Sequence, residues 1–221
     1  MALAQESTSV SIRDEVAAFK REKTILAAVD LFYHNGYANT TLDAVAEQLG
    51  VTKPFIYANF GSKGELLAEI CTRGVGAALG AIDTVLPQKV TPSDGLRIFC
   101  EEYVTGILKS QKHLAVYTRE EKNLEPADAK RIGDMRREFF SKVKQLLRRG
   151  INSGEFAIED VHMTALAIAG AVTWSTFWYR PDGRLSLPEI SDLMAKAILA
   201  MVGVKDKSPP RTVRRPKKAA R

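Results

Sequence analysis

Apolar residues recur at helical spacing along almost the whole chain. Val16, Phe19, Leu26, Val29 and Phe32 share one predicted face of a long first helix, which Gly36 ends. Thr41 is a suitable N-cap for a short helix over 42–49. Gly50 and Val51 then make a turn, and Thr52 can cap a second short helix that runs to Phe60. Pro54 sits in its first turn, where a missing N–H costs little. Ser62, with Glu65 three residues on, has the pattern of a capping box that opens another helix.

Beyond residue 63 the pattern predicts long helices with short breaks. Pro87 ends one, and Thr91-Pro92-Ser93-Asp94 starts the next, toward Ser110. A third covers about 112–122. A long one runs from Pro126 to 149, with Ile132, Met135, Phe139, Val143, Leu146 and Leu147 on one face, and Asn152-Ser153-Gly154 stops it. Helices over 161–179 and 188–202 flank a turn at Pro181-Asp182-Gly183. There is no strand-like alternation, no internal repeat and no Gly-rich phosphate loop. The expected fold class is all-α.

The two short helices carry the most information. Val45, Ala46, Leu49, Val51, Ile56 and Phe60 can close a small core. At about 100° per residue, Pro54, Phe55, Tyr57 and Ala58 then point away from it. An outward face of Pro, Phe and Tyr is wasteful in water unless something covers it, and a second helix presented this way fits the major groove of DNA.

Ala27-Ala28, Leu31-Phe32, Gly36-Tyr37, Thr40-Thr41, Val45-Ala46, Gly50-Val51-Thr52-Lys53-Pro54, Ile56-Tyr57, Phe60 and Ser62-Lys63 stand at fixed spacing. With them the stretch 25–66 resembles the DNA-binding domain of the TetR family of bacterial repressors. The resemblance implies a three-helix helix-turn-helix domain over 13–62 and a helical bundle over 63–203 that forms a ligand pocket and a dimer interface. A flexible N-terminus (1–12) and a basic disordered tail (204–221) complete the expected layout. The resemblance also implies roles in DNA binding. Thr41 and Thr52 match phosphate contacts near helix N-termini. Lys53, Pro54 and Phe55 match positions facing base edges or the adjoining backbone, Tyr57 matches a phosphate contact, and Lys63 matches a lysine that anchors the next helix to the DNA backbone. Ala58 and Asn59 depart from the family's usual aromatic and His. Asn59 can hydrogen-bond adenine or a phosphate, so the operator preference should differ.

The stretches 119–121, 154–156 and 174–183, with Trp174, Trp178, Tyr179 and Arg180, are similar to a TetR subgroup that responds to acyl-CoA thioesters and regulates lipid or steroid breakdown. That resemblance implies an acyl-CoA effector. Phe99, Tyr103, Tyr117, Phe139, Phe140, Trp174 and Trp178 are candidates for an apolar tunnel. Arg119, Arg136, Arg137 and Arg180 are candidate cations for the CoA phosphates. The small residues Ala165, Ala167, Ala169, Gly170 and Ala171, with the stripe Leu193, Ala197, Ile198 and Met201, mark a homodimer interface in which two heads read a palindrome.

Charge adds little to this reading. The net charge is +6, but eight Lys and Arg lie between Lys205 and Arg221 against the single acid Asp206, so the rest of the chain is at −1. The stretch from Arg13 to Lys63 holds six bases and six acids. Recognition there rests on positioned groups, while the tail can add salt-sensitive affinity for any duplex. Cys71 and Cys100 stand alone in apolar contexts and are expected as reduced, buried thiols. His34, His113 and His162 are scattered with no ligand spacing, so no catalytic residue, metal site or cofactor is expected. The first residues lack a basic start and an apolar run, and no segment is long and apolar enough to span a bilayer, so a cytoplasmic protein with no membrane partner is expected. Two rivals remain open: an architectural DNA-binding protein without ligand control, and an activator of the same fold.

Overall fold

The computed structural model describes residues 12–204, and among these all regular structure is helical. The N-terminal stretch up to residue 11 and the basic tail from residue 205 lie outside the described residues. In chain order the helices are α1 (Ile12–Asn35), α2 (Leu42–Leu49), α3 (Lys53–Phe60), α4 (Lys63–Val85), α5 (Pro92–Lys109), α6 (Gln111–Glu120), α7 (Pro126–Asn152), α8 (Val161–Trp178) and α9 (Leu187–Met201), with a 3-10 turn at Glu121–Asn123.

Local chemistry sets most of these boundaries. The Thr41 hydroxyl accepts from the Ala44 N–H at 3.1 Å and starts α2. Gly50 ends α2 with φ of +64°, a left-handed conformation that glycine takes without steric cost, and the chain turns directly into α3. Thr52 stands at the start of α3, but its side chain makes no capping bond. Ser62 accepts from the Glu65 N–H at 3.1 Å, Thr91 accepts from the Asp94 N–H at 3.1 Å, and Asp160 accepts from His162 and Met163 at the head of α8.

Two apolar cores result. The first joins α1, α2 and α3 through Ile25, Ala28, Val29, Phe32, Val45, Ile56 and Phe60, and continues into α4 through Leu66, Leu67, Ile70 and Val75. Val116 and Tyr117 of α6 and Ile132 of α7 close it from below. The second lies in the bundle, among α4, α5, α7, α8 and α9, around Phe99, Tyr103, Phe139, Val143, Leu146, Ile168, Val172 and Ile198.

The first helix departs from its predicted face. Val29 and Phe32 are buried, but Val16, Phe19 and Leu26 are exposed, Phe19 to 62%. The buried stripe is Ile25, Ala28, Val29 and Phe32, spaced i, i+3, i+4 and i+7. Val16 and Phe19, on the turns before Thr24, lie outside the apolar core of the head. In α8 and α9, Ala165, Ala169 and Ile198 face the protomer's own core, while Ala167, Gly170, Ala171, Leu193, Ala197 and Met201 face outward.

The end of α7 is fixed by close packing. The Phe156 ring lies where a Cβ on Gly150 would have to go. Gly150→Ala is expected to cost about 1–3 kcal/mol through overpacking and to lower the thermal midpoint in a calorimetric scan. An unchanged midpoint would mean that the 150–156 corner is not tightly packed.

Candidate nucleic-acid interface and effector cavity

The head presents α3 as the sequence suggests. Ile56 and Phe60 are buried, and Pro54, Tyr57 (51% exposed) and Ala58 face outward. Phe55 is half-buried at the edge of the head core, with the Lys20 ammonium 5.6 Å from its ring centre. Thr41, Thr52 and Lys53 are exposed on the neighbouring turns.

Several of these side chains are already engaged. Lys53 is paired with Asp43 at 2.6 Å, and that contact raises its pKa. The Asn59 amide donates to the Phe55 carbonyl of its own helix at 2.8 Å. The Asn59 carbonyl accepts from Arg21 at 2.6 Å, while that guanidinium lies 4.4 Å from the centre of the Phe60 ring. Arg21 thereby ties the end of α3 to α1.

Lys63 has turned inward. Its ammonium donates to the carbonyls of Tyr37 at 2.7 Å, Thr40 at 2.8 Å and Ala38 at 3.4 Å, and lies 4.3 Å from the centre of the Tyr37 ring. It locks the α1–α2 turn onto the start of α4. The family position is matched, but the partners here are the protein's own carbonyls. No sequence pattern signals this, because the bonds join residues more than twenty positions apart.

A second clamp comes from α6. Arg119 donates to the carbonyls of Phe32 and Tyr33, the last-turn acceptors of α1. Glu120 is 7% exposed. Its carboxylate accepts from Arg119 at 3.1 Å, from Asn123 at 2.9 Å and from the Tyr37 N–H at 3.4 Å. Sequence reasoning placed Arg119 among ligand contacts and did not single out Glu120.

The bundle holds a partly open cavity of about 190 Å³. Val75, Ala78, Tyr103, Ile107, Leu114, Phe139, Phe140 and Ala169 make its apolar wall, and Tyr117, Thr118, Thr173 and Arg136 supply polar atoms. Burial pushes the Tyr103 hydroxyl up to about 12, so it stays protonated as a donor. Arg136 donates to the Tyr117 hydroxyl at 3.3 Å.

Of the residues expected to meet a ligand, Tyr103, Tyr117, Phe139, Phe140 and Arg136 line this space. Phe99 is buried behind it, stacked on Tyr103 with ring centres 5.4 Å apart. Arg119 serves the clamp. Trp174 is 63% exposed on the outside of α8, and Trp178 lines a separate depression with Tyr179, Arg180, Arg184 and Ile190. Arg137 pairs with Asp134. Cys71 and Cys100 are buried, and burial pushes the Cys71 thiol up to about 12 and Cys100 higher still. Among the described residues no cluster of His, Cys, Asp or Glu can hold a metal ion, and no helix is long and apolar enough to cross a membrane.

The family models agree with this division of labour. Residues 25–70 match the model described as bacterial regulatory proteins, tetR family, and residues 89–202 match the tetracyclin repressor-like C-terminal domain. The chain belongs to the tetR family of bacterial regulatory proteins. This is a family of transcription regulators, not enzymes, with a DNA-binding helix-turn-helix followed by a ligand-binding helical domain. The chain is 24% identical over 186 residues to the fatty acid metabolism regulator protein of Bacillus subtilis, covering 82% of this chain and 94% of that one. It is 21% identical over 192 residues to the transcriptional repressor KstR2 of Mycolicibacterium smegmatis, covering 82% of this chain and 90% of that protein. In fold it resembles AibR, solved with isovaleryl coenzyme A and operator DNA, with a TM-score of 0.69 and 19% identity over 83% of this chain and 97% of that chain.

The Lys63 clamp carries a measurable consequence. Lys63→Met removes a charged donor from backbone carbonyls and is expected to cost on the order of 2 kcal/mol. Amide exchange over residues 37–41 should accelerate while α5 and α9 stay protected. Uniform acceleration, or none, would show that the turn does not depend on this lysine.

Proposed function

We propose that this tetR-family regulator is a dimeric repressor that binds a palindromic operator through α2 and α3 and is released by an acyl-CoA thioester. The observation that carries the effector reading is the position of Tyr117, which belongs to the head core and also lines the bundle cavity. A group entering the cavity meets a side chain on which the head is packed.

The contact roles at the DNA are part of the proposal. Tyr57, Thr41 and Thr52 hold phosphates, and Pro54 and Phe55 meet base edges or the thymine methyl. Lys53, Asn59 and Lys63 reach DNA only by exchanging the intramolecular partners they now hold. Residues 13–62 act as the reading head and 63–203 as the effector and dimerisation unit, in the cytoplasm.

The effector class rests on the cavity and on the relatives. An apolar cavity of about 150 Å³ accepts a benzene-sized molecule, so this partly open one has room for a short or branched acyl group. The CoA moiety would stay outside, with Arg136 as the nearest cation. Relatives named for fatty acid metabolism, and AibR with its isovaleryl coenzyme A, support this class.

Dimerisation rests on the outer face of α8 and α9. Met163, Leu166, Trp174, Phe177, Trp178, Leu193 and Met201 form an exposed apolar band too extensive for a surface left in water. Pairing two heads about one DNA turn apart, roughly 34–36 Å, lets each read a half-site. An effector that favours another orientation of α4 changes that spacing, with a coupling typically of about 1–3 kcal/mol.

Fluorescence anisotropy on a duplex enriched from a random pool, titrated with acyl-CoA thioesters from acetyl to palmitoyl, tests this reading. Selective binding that a short-chain thioester weakens five- to a hundredfold (roughly the range of typical couplings), with free CoA inert, is expected. Selective binding that no thioester disturbs would refute the effector class. Trp174→Glu is expected to convert the dimer to a monomer in light scattering, and a dimer that persists would move the interface elsewhere.

A further inference from the structure

The cations of the reading head differ in how they are held. Arg21 pairs with Glu69 at 3.4 Å, Lys53 with Asp43 at 2.6 Å, Arg73 with Glu22 at 2.5 Å, and Lys112 of α6 with Asp30 at 2.5 Å. Lys63 is saturated by three carbonyls. Lys20 and Lys23 stand apart, because among the described residues neither has a carboxylate within ion-pair distance. Aromatic rings hold them instead. The Lys20 ammonium is 5.6 Å from the centre of the Phe55 ring, and that of Lys23 is 5.4 Å from the centre of the Phe19 ring.

The two kinds of partner have different electrostatic results. A carboxylate cancels a lysine's charge. A ring attracts the ammonium through its quadrupole and leaves the full positive charge in place. Phe55 belongs to α3, the helix offered to the groove, and its neighbours Pro54 and Tyr57 face outward. Lys20 is therefore an uncancelled charge located at the flank of α3. Lys23 lies one turn further along the same exposed helix. Lys20 and Lys23 thus keep their full charge on the exposed side of α1.

We propose that Lys20, with Lys23 beside it, contacts the DNA backbone next to the groove that α3 enters, and that Phe55 places Lys20 there. The proposal rests on the DNA-binding reading above. It also assigns a purpose to the N-terminal turns of α1, which project past the head core with Val16 and Phe19 exposed. A phosphate contact fixes register without reading sequence. Its loss should weaken binding to every duplex by the same factor.

The test is the salt dependence of binding by the full chain, on an enriched operator and on a shuffled duplex. Each phosphate contact contributes about 0.9 to the slope of log K against log salt. A dimer carrying Lys20→Gln twice should lose about 1.8 from that slope on both duplexes. Lys20→Arg should restore the slope, and Arg148→Gln on α7, remote from the head, should leave it unchanged. A merely structural role for Lys20 would not move the slope. An unchanged slope in Lys20→Gln overturns the proposal, as does a loss confined to the operator or an equal loss in Arg148→Gln. A wild-type chain that binds no duplex overturns the DNA-binding reading and this proposal together, a result distinct from the others.

Discussion

Tyr117 is where the two cores of this molecule meet. It is buried in the core of the reading head and also lines the bundle cavity, where its hydroxyl accepts from Arg136. Leu114, one turn earlier on α6, packs against both cores. Protein interiors are close-packed and respond to added volume by switching between discrete arrangements, not by yielding smoothly. On the proposed function, a group seated in the cavity acts on the head through Tyr117 and Leu114.

The polar seam carries the same connection along the backbone. Arg119 and Glu120 follow Tyr117 and Thr118 on one helix, and they hold the last carbonyls of α1 and the N–H of Tyr37. Lys63 holds the same turn from the start of α4. The α1–α2 turn is thus gripped from two sides by elements that also contribute to the cavity wall, since Val75 and Ala78 belong to α4. A shift of α6 relative to α4 must strain or release one grip. An effector supplies the energy only through its different affinity for the two arrangements.

The helices were legible in the sequence because their signals are local. Thr41, Ser62, Thr91 and Asp160 cap the helices they precede, and Gly50 ends α2 where the turn was expected. Facing was less legible. In α1 two overlapping stripes compete, and only the packing of α2 and α4 selects Ile25 and Ala28 over Val16 and Leu26. In α8 the sequence is apolar all round, so nothing in it distinguishes the cavity side, with Ala169 and Thr173, from the outer side, with Trp174. The candidate ligand residues therefore divided, with Tyr103, Tyr117, Phe139, Phe140 and Arg136 at the cavity and Phe99, Trp174, Trp178, Arg119, Arg137 and Arg180 elsewhere. The roles of Lys63 and Glu120 in holding the α1–α2 turn were not legible, because the backbone carbonyls of Tyr37, Ala38 and Thr40 and the N–H of Tyr37 are brought near them only by the fold.

On the proposed function, cavity occupancy and head orientation are one equilibrium. It is read from the distance between the two heads of the proposed dimer, by spin labels on an exposed Gln48→Cys in α2, since Cys71 and Cys100 are buried and resist labelling. The comparison is with the same protein carrying Ala169→Phe, which fills the cavity from the α8 side and needs no identified effector. The distance distribution is expected to shift when the cavity is filled. An unchanged distribution in a folded, dimeric variant would contradict it.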